Sequence, residues 1–305
     1  MKVLVTGATG FVGSHVCRDL LARGVQVRAL MRPGSSSARR AEPSDIEWAH
    51  GDLLEVSDSA LASLVAGVDA CIHTAWYVVP GEYLLSPKND AHKRSSLRLF
   101  TVLASEGCRQ ITGVGTCFEY RQAAIPLDES APLEPRTPYA AAKAATFTEA
   151  SALFRASPTA FAWARVFYLY GPGEDSRRLV PDVTLKLLRG ERAAVTRGTQ
   201  VRDFLHVEDV ASALVAITLG GLRGAVNVGS SEPIQVAEIV RAIGEIIGRP
   251  DLLDVGARAE NAVDPPYVCA DNTRLREQTE WRRRYGLPDG LRETVAWWRN
   301  LSPRT

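Results

Sequence analysis

A glycine-rich turn near the start of the chain constrains the fold more than any other feature. Lys2–Thr6 is a short apolar run that leads into Thr6-Gly7-Ala8-Thr9-Gly10-Phe11-Val12-Gly13. Val12, Val16 and Leu20 then recur at i, i+4 and i+8, which marks one face of a helix. A strand entering a helix through glycines at 7, 10 and 13 allows a tight turn and a close backbone approach. The helix N-terminus adds unpaired N–H groups and a favourable dipole, so the turn suits a pyrophosphate. Gly7, Thr9, Gly10, Phe11, Val12 and Gly13 are therefore expected to bind a dinucleotide.

Strands and helices alternate after the turn. Residues 25–30, 70–74 and 110–114 read as strands, 32–45 as a polar loop, and a helix is expected near 95–105. Residues 139–154 read as a long helix, and 160–170 as a strand running out to Gly171-Pro172-Gly173. Alternation of this sort predicts a parallel sheet with helices on both faces, and right-handed crossovers make it doubly wound. Further on, Leu179–Leu188, Val236–Ile247 and 286–300, which carries Trp297 and Trp298, read as helices. The expected fold is α/β: a Rossmann-like doubly wound parallel sheet with a smaller C-terminal α/β substrate lobe over the sheet's carboxyl edge. Residues 1–165, with a return near 204–230, form the expected dinucleotide-binding domain; 166–203 and 231–305 form the lobe.

Composition excludes several function classes. The 305 residues are 46% hydrophobic and 23% charged, ordinary for a globular protein, with a formal net charge of +1. No long run of like charge suggests a nucleic-acid or membrane surface. No apolar run approaches the roughly 20 residues that span a bilayer. The N-terminus lacks a signal-peptide cleavage site, so a cytoplasmic protein is expected. Five widely spaced cysteines argue against a disulfide framework or a zinc site, and the five histidines form no metal-ligand spacing. No metal is expected.

The glycine spacing is GxxGxxG rather than GxGxxG, and it resembles the short-chain dehydrogenase/reductase family. In such folds an NAD enzyme ends the second strand with an acidic residue that holds the ribose 2′-OH. Here Met31 and Arg32 stand there, followed by Ser35, Ser36, Arg39 and Arg40. A guanidinium and hydroxyls, Arg32 and Ser35 first, suit a 2′-phosphate. NADP(H) is therefore the preferred cofactor, with NAD(H) also admitted; Arg32 as a solvated loop residue is the alternative. Asp52-Leu53 resembles the family's adenine-contacting pair, with Asp52 as a turn residue the alternative. Thr74, Ala75 and Val166 complete the expected cofactor contacts, and His73 beside them is expected to be structural.

Tyr139 and Lys143 lie four residues apart, on one face of the long helix. Reduction of a ketone needs a proton donor, and a free phenol with a pKa of about 10 is too weak. A nearby ammonium, with the oxidised nicotinamide, stabilises the phenolate. Thr116, at a strand end, supplies a hydroxyl for the substrate oxygen. The whole pattern resembles the extended short-chain dehydrogenases/reductases, the sugar-nucleotide epimerase/dehydratase/reductase family. That resemblance implies a catalytic set of Thr116, Tyr139 and Lys143, with Tyr139 and Lys143 also touching the cofactor. Arg165-Val-Phe-Tyr168-Leu-Tyr170-Gly171-Pro172 looks like the family's RxxNxYGP strand. The stretch from Gly198 through Arg202-Asp203-Phe204-Leu-His206 to Asp209 looks like GxxxRDFxHVxD, in which Arg202 would contact the nucleotide diphosphate. An ion pair between Arg202 and Asp203 is the alternative. Two departures stand out: Tyr168 replaces a frequent asparagine, and His92 replaces a helix asparagine linked to the proton relay.

The residues after Thr116 discriminate among the family's reactions. The 4,6-dehydratases follow that threonine with Asp-Glu; here Cys117 and Phe118 follow. The fucose-synthase-like epimerase/reductases need a cysteine at the Phe118 position and a histidine at the Gly173 position. Cys117 is one residue out of register, which reverses a strand side chain, so packing is its expected role. The segments around Trp76 and Tyr83, and around Gly115-Thr116-Cys117-Phe118-Glu119-Tyr120, resemble nucleotide-sugar 4-ketoreductases of deoxysugar pathways. The expectation is NADPH-dependent reduction of a dTDP-linked 4-keto-6-deoxyhexose at C4. Trp76, Cys117, Phe118, Glu119, Tyr168 and Arg202 are the expected substrate contacts. A nucleotide-sugar 4-epimerase, a reductase of a non-sugar ketone and a non-enzymatic cofactor-sensing regulator remain alternatives. The resemblance also suggests a homodimer.

Overall fold

The computed structural model describes residues 1–34, 45–260 and 264–301. The chain begins β1 (Lys2–Thr6), α1 (Phe11–Ala22), β2 (Gln26–Met31), β3 (Ile46–His50), α2 (Asp58–Val65), β4 (Ala70–His73) and α3 (Lys88–Ser105). Next come β5 (Gln110–Thr116), a 3-10 turn over Cys117–Glu119, α4 (Pro138–Leu153), β6 (Ala160–Val166), β7 (Tyr168–Tyr170) and α5 (Leu179–Leu188). Then follow β8 (Ala193–Val195), β9 (Val201–His206), α6 (Val207–Leu219), β10 (Gly224–Val228), β11 (Pro233–Gln235) and α7 (Val236–Ile247). The chain closes with β12 (Leu253–Val255), β13 (Tyr267–Val268), α8 (Thr273–Gln278) and α9 (Leu287–Leu301).

Seven strands form one sheet in the order β10-β6-β5-β4-β1-β2-β3, with every neighbouring pair parallel. A parallel sheet is covered on both faces, so its strands read as continuous apolar runs. Val3, Leu4 and Val5 are fully buried, and every residue of β6 is buried. On one face Val5, Val16, Leu20, Ala213 and Ile217 pack together beneath α1 and α6. On the other, Leu4, Leu61, Leu99, Phe100, Phe161 and Trp163 pack beneath α2 and α3. The expected doubly wound α/β sheet is thus the fold. From β1 the chain winds outward to β2 and β3, then returns to β4 on the other side of β1. The crevice outside the carboxyl ends of β1 and β4 is the switch point at which such sheets bind ligands.

The second layer is a smaller α/β unit. β11, β9 and β13 form a sheet to which β7 adds, and β8 pairs with β12. Val180, Val183, Leu187, Ile239, Ile243, Leu291 and Val295 form its core. Leu275 and Trp281, which also lie within 231–305, pack into the core of the large sheet instead.

Two expectations about elements need correction. The strand expected over 160–170 is two strands. Phe167 N bonds to Val228 O at 2.9 Å in the large sheet, but Tyr168 already pairs with Phe204 in the small sheet. A hydrophobic pattern shows that a strand is buried, not when it changes partner. The helix expected near 95–105 begins at Lys88, because its first turns carry polar residues, one of them the buried Asn89. The helix α6 went unread because it is buried on nearly every side and carries no amphipathic stripe.

Candidate active site

The site grows from the turn after β1. Gly7 has φ +68°, and a Cβ there would lie 2.7 Å from Thr74 Oγ1 and 2.9 Å from Ala75 N. A Cβ on Gly13 would lie 2.2 Å from Gly7 O. The loop therefore folds flat against the end of β4 only as glycine. Gly10, the N-cap of α1, brings no side chain to the helix's first N–H groups. The result is a backbone cradle that fits a pyrophosphate.

His73 locks this edge from below. Its Nδ1 meets Thr6 Oγ1 at 2.7 Å and its Nε2 meets Ser96 Oγ at 2.8 Å. Ser96 Oγ donates to His92 O, so the consistent tautomer carries its proton on Nε2. Burial, with the Lys143 charge adding, pushes the imidazole down to about 3. His73 is thus a neutral, buried bridge between β1 and α3.

A cavity of about 1420 Å³ runs from the cradle across the sheet edge to the lobe. Pockets for one small ligand measure roughly 300–1,000 Å³, so this one has room for a dinucleotide and a second ligand. Gly7, Thr9, Gly10, Phe11, Val12, Gly13, Arg32, Asp52, Leu53, Thr74, Ala75 and Val166, the expected cofactor contacts, all line it. Thr116, Tyr139 and Lys143 line its middle, with Trp76, Cys117, Phe118, Tyr168 and Arg202 toward the lobe. Ser35, with Ser36, Arg39 and Arg40, lies outside the described residues.

The helix α4 presents the Tyr–Lys pair. Thr137 caps it by accepting from Ala140 N, and Pro138 occupies its first turn. Tyr139 and Lys143 are both buried one turn apart. Lys143 Nζ donates to Val114 O at 2.6 Å and lies 3.7 Å from the centre of the Trp76 ring. Burial lowers its amine to about 7, against the opposing charge of Glu119. Burial also raises the Tyr139 phenol, with Tyr83 and Glu119 adding and the Thr116 hydroxyl acting the other way.

Several site expectations change. Glu119, expected on the substrate, has no exposed surface; it pairs with Arg165 at 2.8 Å behind the site. Arg202 pairs with Asp264 at 2.8 Å, not with Asp203. Asp203 instead accepts from Ser230 N, Ser230 Oγ, Ser231 N and Ala270 N. Asp52 both lines the cavity and closes its turn by accepting from Leu54 N. Cys117 packs with Tyr120 and Phe167, and burial pushes its thiol up to about 12. His92 stacks on Trp76 and is pushed down to about 4 by burial and by Lys143.

Sequence reasoning missed Asn89. Its Oδ1 accepts from Trp76 Nε1 at 2.8 Å, and its Nδ2 donates to Tyr83 O and Ser86 O. This clamp holds the Tyr83 ring 4.8 Å from that of Tyr139. No spacing marks such an asparagine. Glu174 and Arg178 also line the cavity, and the charged run after Gly171-Pro172-Gly173 was a usable signal for them. Among the described residues no His/Cys/Asp/Glu cluster suits a metal, and no helix is long and apolar enough to cross a membrane.

Comparison with known proteins agrees with this geometry. The model of the NAD dependent epimerase/dehydratase family matches residues 3–229. A UDP-glucose 4-epimerase of Corynebacterium glutamicum is 27% identical, over 92% of this chain and 90% of that protein. A dTDP-4-dehydro-6-deoxy-D-allose reductase of Streptomyces bikiniensis is 28% identical, over 98% of this chain and 96% of that protein. The structure of a dTDP-glucose 4,6-dehydratase from Streptomyces venezuelae, solved with NAD bound, superposes with a TM-score of 0.86 at 25% identity. It covers 98% of this chain and 97% of that one. Three reactions are represented, so the likeness establishes a nucleotide-sugar enzyme family without selecting the chemistry.

Proposed function

The chain belongs to the NAD-dependent epimerase/dehydratase family, and from that premise we propose that it reduces the C4 ketone of a nucleotide-linked 4-keto-6-deoxy sugar with NADPH. The observation that carries this reading is the pair after Thr116. Cys117 is a neutral buried thiol and Phe118 has no titratable group, so no second acid/base pair faces the cavity there. Elimination of water needs such a pair; ketone reduction needs only the Thr116–Tyr139–Lys143 set.

The reduced nicotinamide, when bound, supplies a hydride to the carbonyl carbon. Thr116 and Tyr139 hold the carbonyl oxygen, and Tyr139 gives it a proton. Lys143 stabilises the phenolate left behind, which regains its proton from solvent. Trp76, Tyr83, Phe118 and Tyr168 form an aromatic wall on the sugar side, suited to a ring carrying a methyl rather than a hydroxymethyl group. Arg202 and Arg178 supply cations for a diphosphate. Arg32, exposed at the end of β2, supports NADPH through its guanidinium. A cytoplasmic setting and a homodimer belong to the same proposal.

A second reading, a 4-epimerase of UDP-hexoses, is favoured by the Corynebacterium glutamicum relative. The test is NADPH oxidation against a panel of nucleotide-linked 4-keto-6-deoxy sugars, with NMR of the product. The reductase shows consumption matched to a C4 alcohol. Tyr139→Phe loses about 100-fold or more in kcat while keeping NADPH affinity. No consumption with any member of the panel rejects the reading. Interconversion of UDP-hexoses without added reductant establishes the second one. A lower KM for NADH than for NADPH removes the cofactor assignment.

A further inference from the structure

Glu119 is fully buried and stands behind the reacting groups rather than among them. Its Oε1 accepts from Thr116 N at 2.8 Å and from Trp163 Nε1 at 3.0 Å. Its Oε2 accepts from Arg165 Nε at 2.8 Å. Arg165 continues the network by donating to Tyr120 OH at 2.9 Å, which donates to Asn227 Oδ1 at 2.7 Å. The end of β5 is shaped around this group. A Cβ on Gly115 would lie 2.5 Å from Glu119 Oε1 and 2.2 Å from Trp163 Nε1.

A buried ion pair is a poor source of stability, because desolvation of both charges offsets their attraction. Apolar side chains would fill the same space, so the charge calls for another reason. The turn that Glu119 closes starts at Thr116, and the Trp163 ring whose Nε1 donates to Glu119 lies 5.7 Å from Lys143 Nζ. We propose that Glu119 is a positioning residue for proton transfer: it fixes Thr116 from behind and, standing behind Lys143, favours the ammonium form beside Tyr139. This rests on reading Tyr139 and Lys143 as the proton-transfer pair.

The surroundings of Lys143 agree. Burial favours its neutral form, and the Glu119 charge opposes that loss. Tyr139 on its own helix, His73 on β4 and His92 on α3 also face it, and Arg165 on β6 pairs with Glu119. Tyr139 is held as the phenol, both histidines are neutral, and Arg165 is a cation. None of them is an anion at neutral pH, so Glu119 is the group that offsets the burial.

The test needs no turnover. The chain has five lysines, so ε-carbon-labelled lysine gives a simple NMR spectrum, in which Lys143→Arg assigns the resonance. The Lys143 signal is expected to titrate with a midpoint of about 7 in the native protein. In Glu119→Gln, which keeps the size and an acceptor for Thr116 N, the midpoint falls by about one pH unit or more. Glu119→Asp keeps the charge and returns the midpoint toward its native value. If Glu119→Gln fails to fold with Arg165 unpaired, the pair Glu119→Gln and Arg165→Met removes both buried charges and shows the same fall. A folded charge-free variant whose midpoint is unchanged overturns the proposal. Because the signal is read without substrate, failure of the reductase reading leaves this result standing, and the reverse also holds.

Discussion

His73 shows how a single residue ties chemistry to folding. It bridges β1 and α3 through Thr6 and Ser96 and is held neutral by burial. Its folded pKa, about 3, lies below the unfolded value of about 6.5. The unfolded chain therefore binds the extra proton first. The stability this group contributes is complete above about pH 6.5 and is lost as the pH falls toward the folded pKa. Between about pH 7 and pH 5 the linked loss is about 2 kcal/mol. His73→Asn should be less stable than the native chain at neutral pH but lose about 2 kcal/mol less over that interval. Urea unfolding at the two pH values measures the difference; equal losses in both proteins would remove His73 as the cause. The motif residues Thr116, Tyr139 and Lys143 were legible from spacing because their chemistry demands fixed separations. Asn89 and the place of Glu119 were not, because each rests on a partner distant in the chain, Trp76 and Arg165 respectively.

At the scale of elements, the junction of β1, the glycine turn and α1 is the unit with least tolerance. Gly13 sits where any side chain would strike the Gly7 carbonyl, a backbone group that cannot step aside. Gly13→Ala should cost about 1–3 kcal/mol by overpacking. It should also weaken cofactor binding about tenfold or more, since the N–H groups of the cradle shift together. Thermal unfolding and cofactor fluorescence titration check the two halves; unchanged affinity would mean that the cradle does not hold the dinucleotide. Helices with an amphipathic stripe, such as α5 and α7, were read to the residue. α6 is buried on nearly every side, and β7 borrows its apolar pattern from β6 while joining another sheet. Periodicity reports the contrast between wet and dry sides, and it fails where an element has no wet side or changes its dry neighbour.

At the scale of the molecule, the cavity is shared between two layers, and each layer brings different chemistry. The large sheet supplies the cradle and the Tyr–Lys pair; the lobe supplies Tyr168, Arg178 and Arg202. Under the proposed reading these act on different ligands. Arg202→Met should therefore raise KM for the nucleotide-linked substrate about tenfold or more while leaving cofactor affinity within about twofold. Steady-state kinetics and cofactor titration separate the two, and an equal loss of both would show that the layers do not divide the work. By itself the sequence determined the doubly wound sheet, the cradle, the Tyr–Lys helix and the missing acid/base pair. Each follows from local spacing, from side-chain type, or from a glycine that steric limits demand. Only the tertiary structure decided that Glu119 lies behind the site instead of on the substrate, that Arg202 answers to Asp264, and that Asn89 clamps Trp76. The physical reason is that burial and charge pairing depend on neighbours across the fold, and a chain read in order does not show which of its polar groups will share a dry interior.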